Sequence, residues 1–266
     1  MNNIFEFAEA CLHQSHIKAK LALTEQAWQL SQQETLSFMS VTEPKNIALV
    51  TFPEKPILQA PRYMAKRKLG TLEGRQAFYH ALAHIECMAI YLAWDMIYRF
   101  RGLPDEFYQD WLQVAYEETL HFSLICHHLQ GLGIDYGDLP AHQGLWEHAQ
   151  DTADDLLGRL VIIPRCMEAR GLDVTPVMIK KIESINDKAG KAILERILQD
   201  EIQHVKFGSK WFLQQCEQQG HCAEDSFKRL LLKYFKNVKP KGPFNHEIRQ
   251  QAGFTSNELA WLEEAP

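Results

Sequence analysis

The chain has 266 residues, a formal net charge of −6, and ordinary globular proportions, 46% hydrophobic and 23% charged. That length suits one large domain with a substantial core, and the acidic balance argues against a nucleic-acid-coating surface. No run approaches the roughly 18 apolar residues of a membrane helix, and "MNNIFEFAEA" lacks the basic start and apolar core of a secretion signal, so no membrane partner is expected and the cytoplasm is the expected compartment.

In chain order, 3–36 reads as one or two amphipathic helices, "FEFAEACL" and then "HIKAKLALTEQAWQL". Residues 40–72 carry Pro44, Pro53, Pro56 and Pro61, a spacing that forbids a long helix and predicts an extended segment wrapping the surface. A first core helix follows over about 72–100, "LEGRQAFYHALAHIECMAIYLAWDMIYRF", apolar nearly all round and therefore central. Gly102 and Pro104 end it. A second helix spans about 105–131 and a third about 145–170, with Gly171 as its C-cap and Pro176 opening a short helix beyond. A fourth spans about 189–218, another helix covers 223–237, and Thr255 or Ser256 caps a small helix near the end. No strand alternation stands out, so the expected class is all-α. Six cysteines (Cys11, Cys87, Cys126, Cys166, Cys216, Cys222) form no CxxC pair and read as reduced thiols.

Two of these helices carry a Glu-x-x-His pair: Glu118 and His121 in "EETLH", Glu201 and His204 in "DEIQH". This spacing puts both side chains on one helix face, a turn apart. One such pair is weak evidence. Here both sit inside the apolar stripe, where a buried charge is costly unless it is paired or bound to a cation. The other two core helices each offer one acid in an apolar stretch, Glu86 in "AHIECMAI" and Glu168 in "IIPRCMEARG". The order Glu, then Glu-x-x-His about 32 residues later, thus occurs twice. Six ligands to two metals, with one imidazole per metal, leave open positions for water or dioxygen. That is a carboxylate-rich di-iron or di-manganese site in a four-helix bundle. Hydrolytic zinc sites use fewer ligands and more histidine.

On these residues the sequence resembles the ferritin-like superfamily, and more closely an uncharacterised bacterial branch of it described only as a domain of unknown function. "HALAHIECMAIYLAWDMIYRF", "EETLHFSLICHHLQGLGIDYGDLPAHQGLWE", "PRCMEARGLDVTP", "DEIQHVKFG" and "PFNHEIRQQAGF" carry the resemblance. It implies a ferritin-like bundle over 72–218, flanked by N-terminal helices and the proline-punctuated segment over 1–71 and by C-terminal helices over 219–266, all one compact domain. The implied ligands are Glu86, Glu118, His121, Glu168, Glu201 and His204. The implied cofactors are two iron ions, alternatively manganese or a mixed pair.

Around this set, Asp200 and Glu117 each precede a ligand by one residue and are expected to accept from a ligand histidine of another helix, Asp200 from His121 and Glu117 from His204. His84 reads as a hydrogen-bonded core histidine. Tyr79 shares a face with Glu86 two turns away and suits a channel wall, a radical carrier or simple packing. Arg165, a turn before Glu168, suits a ligand carboxylate, an anionic substrate or a snorkelled surface position, and Pro164 should kink its helix.

The favoured function is an oxidoreductase that activates dioxygen to oxidise or hydroxylate a small organic substrate. No flavin or nicotinamide motif is present, so an external electron donor is expected; a homodimer is compatible. Other readings are a metal-handling or peroxide-detoxifying ferroxidase-like protein, a non-catalytic helical module, and an RNA-nucleoside hydroxylase. The last rests only on the basic stretch "KRLLLKYFKNVKPKG".

Overall fold

In the computed structural model the described residues are 1–40, 43–44, 50–60, 63–64, 68–142 and 144–264. They are all-helical; the only strand-like pairings described are isolated bridges, Asn3 with Ser37 and Leu58 with Ala141. The chain divides into two compact units, Met1–Trp146 and Glu147–Pro266. Among the described residues no helix is long and apolar enough to cross a membrane.

The first unit is built on a helical hairpin, α3 (Leu72–Arg99) and α4 (Asp105–Gly131), with α1 (Ile4–His13) packed on α3 and α2 (Ile17–Gln32) on α4. Thr71 starts α3 by accepting from the Gly74 amide at 3.0 Å. The helix is buried continuously over 86–98, as its nearly all-round apolar sequence requires. Gly102, at φ +70°, reverses the chain. The Tyr108 hydroxyl then locks the turn, donating to the Phe100 carbonyl at 3.0 Å and accepting from the Leu103 amide at 3.2 Å. The described parts of 40–72 hold no long helix; Pro61 of the expected extended segment lies outside the described residues.

The second unit pairs α7 (Ala169–Ser184) with α8 (Lys188–Gln218) and adds α6 (Leu156–Ile162), α9 (Ala223–Tyr234), α10 (His246–Gln251) and α11 (Ser256–Glu263). A short α5 (Gly144–Asp151) straddles the division. The third core helix therefore differs from its expected form. It is interrupted at 152–155, where Asp155 caps a fresh start by accepting from the Gly158 amide at 2.8 Å. It widens into a π turn over Ile163–Glu168, and continues through Gly171 and Pro176 to Ser184 instead of ending near 170. Pro164 is the physical reason for the wide turn: it brings no amide to an α ladder, and π geometry absorbs the mismatch. Gly208 of α8 makes room for it, since a Cβ there would fall 2.4 Å from Pro164 Cβ.

Candidate metal centre

In the first unit, Glu86 projects from α3 and Glu118 and His121 from α4, with relative exposures of 3%, 0% and 0%. His121 Nδ1 lies 3.3 Å from Glu86 Oε2 and 3.4 Å from Glu118 Oε2. One donor atom from each of the three falls within 4.8 Å of the others. Burial raises the Glu86 carboxyl to about 8, the adjacent Glu118 charge adds to the rise, and the hydrogen bond from His121 opposes it. Two acids this close and this dry hold a proton at neutral pH unless a cation replaces it. Carboxylate oxygens and an imidazole nitrogen converging in one buried spot form a donor set able to hold a metal ion.

In the second unit, Glu201 and His204 stand one turn apart on α8. His204 Nδ1 is 3.8 Å from Glu201 Oε1; the histidine is fully buried, and the glutamate side chain is 13% exposed. Glu168 is half-buried at the last position of the π turn, directly before α7. Each unit thus contains one single glutamate and one Glu-x-x-His pair.

The neighbouring residues have more specific environments than their spacing indicated. Glu117 accepts from Gln113 Nε2 at 3.1 Å within its own helix. Asp200 is engaged by Arg196 at the start of the same turn of α8. His84 donates from Nε2 to the His142 carbonyl at 3.0 Å, so its Nδ1 accepts from the Tyr136 hydroxyl at 2.9 Å. Burial pulls His84 down to about 4, which keeps it neutral. Tyr79 is fully buried against Phe78 and the edge of His128, ring centroids 5.0 and 4.4 Å away. Arg165 does not snorkel. It is 1% exposed, and its Nη2 donates to Glu258 Oε2 at 2.8 Å.

Two residues escaped the sequence reading. Tyr136 sits in the loop after α4, stacked on His80 and hydrogen-bonded to His84; with Phe52, Pro56, Leu58, His84 and Met88 it lines a recess in the first unit. A tyrosine between glycines carried no periodic signal. Glu258 is 1% exposed, although an acid in a helix's first turn reads as solvated. Its only sequence signal is the Thr-x-x-Glu spacing of a capping box, which is present here.

The fold and these residues define an all-helical protein with a buried carboxylate–histidine cluster able to hold a metal ion. The chain belongs to the family described as "Protein of unknown function (DUF455)", which matches residues 13–260. It is similar to a protein of Haemophilus influenzae (strain ATCC 51907 / DSM 11121 / KW20 / Rd) described as "Uncharacterized protein", 47% identical over 234 residues that cover 85% of this chain and 80% of the relative. No solved structure matches.

Proposed function

We propose that the protein is a binuclear metal oxidoreductase of ferritin-like type, holding two iron ions, or manganese in their place, through Glu86, Glu118 and His121 together with Glu168, Glu201 and His204. The observation that carries this reading is the convergence of Glu86, Glu118 and His121 at exposures of 0–3%. A single triad of this kind is half of a carboxylate-bridged site. The repeated order of a glutamate followed by Glu-x-x-His supplies the other half from the second unit.

A redox-active metal pair, when bound, supplies electrons for dioxygen chemistry on a small organic substrate. The protein's own residues do the rest. The four carboxylates balance the metal charge, and the two histidines add one neutral donor each. Aliphatic and aromatic neighbours, such as Val114, Phe122 and Ile125 on α4 and Val205 on α8, keep the ligand faces dry. Electrons come from an external donor, and the substrate is a small molecule.

The test is metal analysis of protein purified under iron-replete and manganese-replete conditions, followed by oxygen uptake with a chemical reductant. About two equivalents of redox-active metal per chain and reductant-dependent oxygen consumption are expected. Protein that neither retains nor takes up redox metal would refute the reading.

A further inference from the structure

The π turn that carries Glu168 is gripped at both ends by buried arginine contacts to residues 245–262. Three residues before Glu168, Arg165 donates from Nη2 to Glu258 Oε2 at 2.8 Å and from Nε to Ser209 Oγ at 3.2 Å. Its guanidinium lies 4.6–4.8 Å from the ring centroids of Phe254, Phe212 and Phe227. Glu258 is itself fixed, because the same Oε2 accepts from the Thr255 amide at 2.9 Å while Thr255 Oγ1 accepts from the Glu258 amide at 3.1 Å. On the other side of Glu168, Arg249 binds both Asp173 oxygens at 2.8 Å and donates to the carbonyl of Ala169, the next residue after Glu168, at 3.3 Å. All four charged side chains are 1–6% exposed. Two buried, hydrogen-bonded ion pairs thus bracket one candidate ligand.

A π turn contains one residue more than an α turn would accommodate, and it persists only where its surroundings hold it. Relaxation to α geometry shifts the register by one residue, which turns a side chain by about 100° around the helix axis. That rotation would carry the Glu168 carboxylate off its present face. Gly208, four residues after His204, admits Pro164 into contact with α8, so the same turn is also keyed to the helix bearing the second Glu-x-x-His pair.

We propose that Arg165, Glu258 and the Arg249–Asp173 pair are positioning residues that hold the π turn, and through it the Glu168 carboxylate, in the register that metal binding requires. This rests on the metal reading given above.

The test uses the full chain, with Co(II) as the probe. In Glu258→Gln, amide hydrogen exchange of the metal-free protein should rise roughly tenfold or more over 163–169 and stay unchanged over α3 and α4. Cobalt uptake, followed by its visible absorption, should drop from about two equivalents to about one. Ile182→Ala, a fully buried truncation at the far end of α7, serves as a destabilised control away from the turn and should alter neither readout. Should Glu258→Gln fail to fold, the double variant Arg165→Met/Glu258→Met removes both charges without stranding one, and the same two changes are expected of it. Wild-type exchange over 163–169 with full cobalt uptake in the variant overturns the positioning role alone. Absence of cobalt uptake by the wild type overturns the metal reading, and the ligand-positioning role with it.

Discussion

His121 Nδ1 lies 3.3 Å from Glu86 Oε2, tying α4 to α3 where both side chains are buried. The bond joins residues 35 positions apart, so it reports the register of the hairpin and not the geometry of one helix. Glutamine at 86 copies the shape of a protonated glutamate but binds metal poorly. Glu86→Gln is therefore expected to leave the metal-free protein within about 1 kcal/mol of wild type, the size of one ordinary hydrogen bond, and to lose metal. Urea unfolding of chelator-treated protein and metal analysis of untreated protein check the two halves. A variant that keeps its full metal content would remove Glu86 from the ligand set.

Metal should also stabilise the fold as a whole. A ligand that binds only the folded state adds about 2.7 kcal/mol at a free concentration one hundred times its Kd. Thermal unfolding of wild type with added Mn(II) or Co(II) is expected to shift upward by several degrees, and a chelator should reverse it. His121→Ala should abolish most of the shift. An identical response in wild type and variant would place the binding elsewhere.

Long periodic stretches were readable from sequence because each has one dominant cause. The stretch "CMAIYLAWDMI", apolar at every position but Asp95 and Tyr91, reads as interior, and α3 runs over Leu72–Arg99 against an expected 72–100. The third core helix was not readable in the same way. Asp155 restarts it and Pro164 widens it, and both effects depend on what surrounds them, the first on Tyr234 and Lys233, the second on the space left by Gly208. The Glu-x-x-His pairs were visible because i, i+3 spacing is a local property. The partner of Arg165 is not legible for the opposite reason: Glu258 lies 93 residues away, and only the fold brings the two together.

Lys20 offers a pH test in the first unit. It is 1% exposed, its ammonium stands 3.6 Å from the Tyr91 ring centroid, and it donates to the Cys11 carbonyl. Burial pulls its pKa from 10.5 to about 8, opposed by Cys11 and Cys87. Below pH 8 both folded and unfolded chains hold the proton, and the folded state bears the full cost of the buried charge. Between pH 8 and 10.5 only the unfolded chain keeps it, so this group adds stability as pH rises. Lys20→Met removes the effect. The stability of the variant relative to wild type should fall by an amount on the order of 3 kcal/mol between about pH 7 and pH 10.5. The two thiols, pushed up from 9.0 to about 11 by burial, oppose this trend above pH 9 in both proteins, so to first order the difference isolates Lys20. Urea unfolding under reducing conditions measures it, and a difference that does not vary with pH would contradict the assignment.

Gly208 and Gly171 should respond to alanine with opposite signs. Both lie inside helices, where alanine is favoured over glycine by up to about 1 kcal/mol. At Gly171 an added Cβ meets nothing within 4 Å, so Gly171→Ala is expected to stabilise by roughly 0.5–1 kcal/mol. At Gly208 the new atom would stand 2.4 and 2.5 Å from Pro164 Cβ and Cγ. A proline ring cannot rotate away, because its atoms are closed onto the backbone. Relief requires α8 and the π turn to separate, and overpacking of this kind costs about 1–3 kcal/mol, more than the helix propensity returns. Gly208→Ala should therefore lower the urea midpoint while Gly171→Ala raises it. The separation should also loosen the turn that ends in Glu168, so Gly208→Ala is expected to reduce cobalt uptake and Gly171→Ala to leave it intact. Equal shifts of the same sign in the two variants would mean that the contact between Pro164 and Gly208 does not hold the turn.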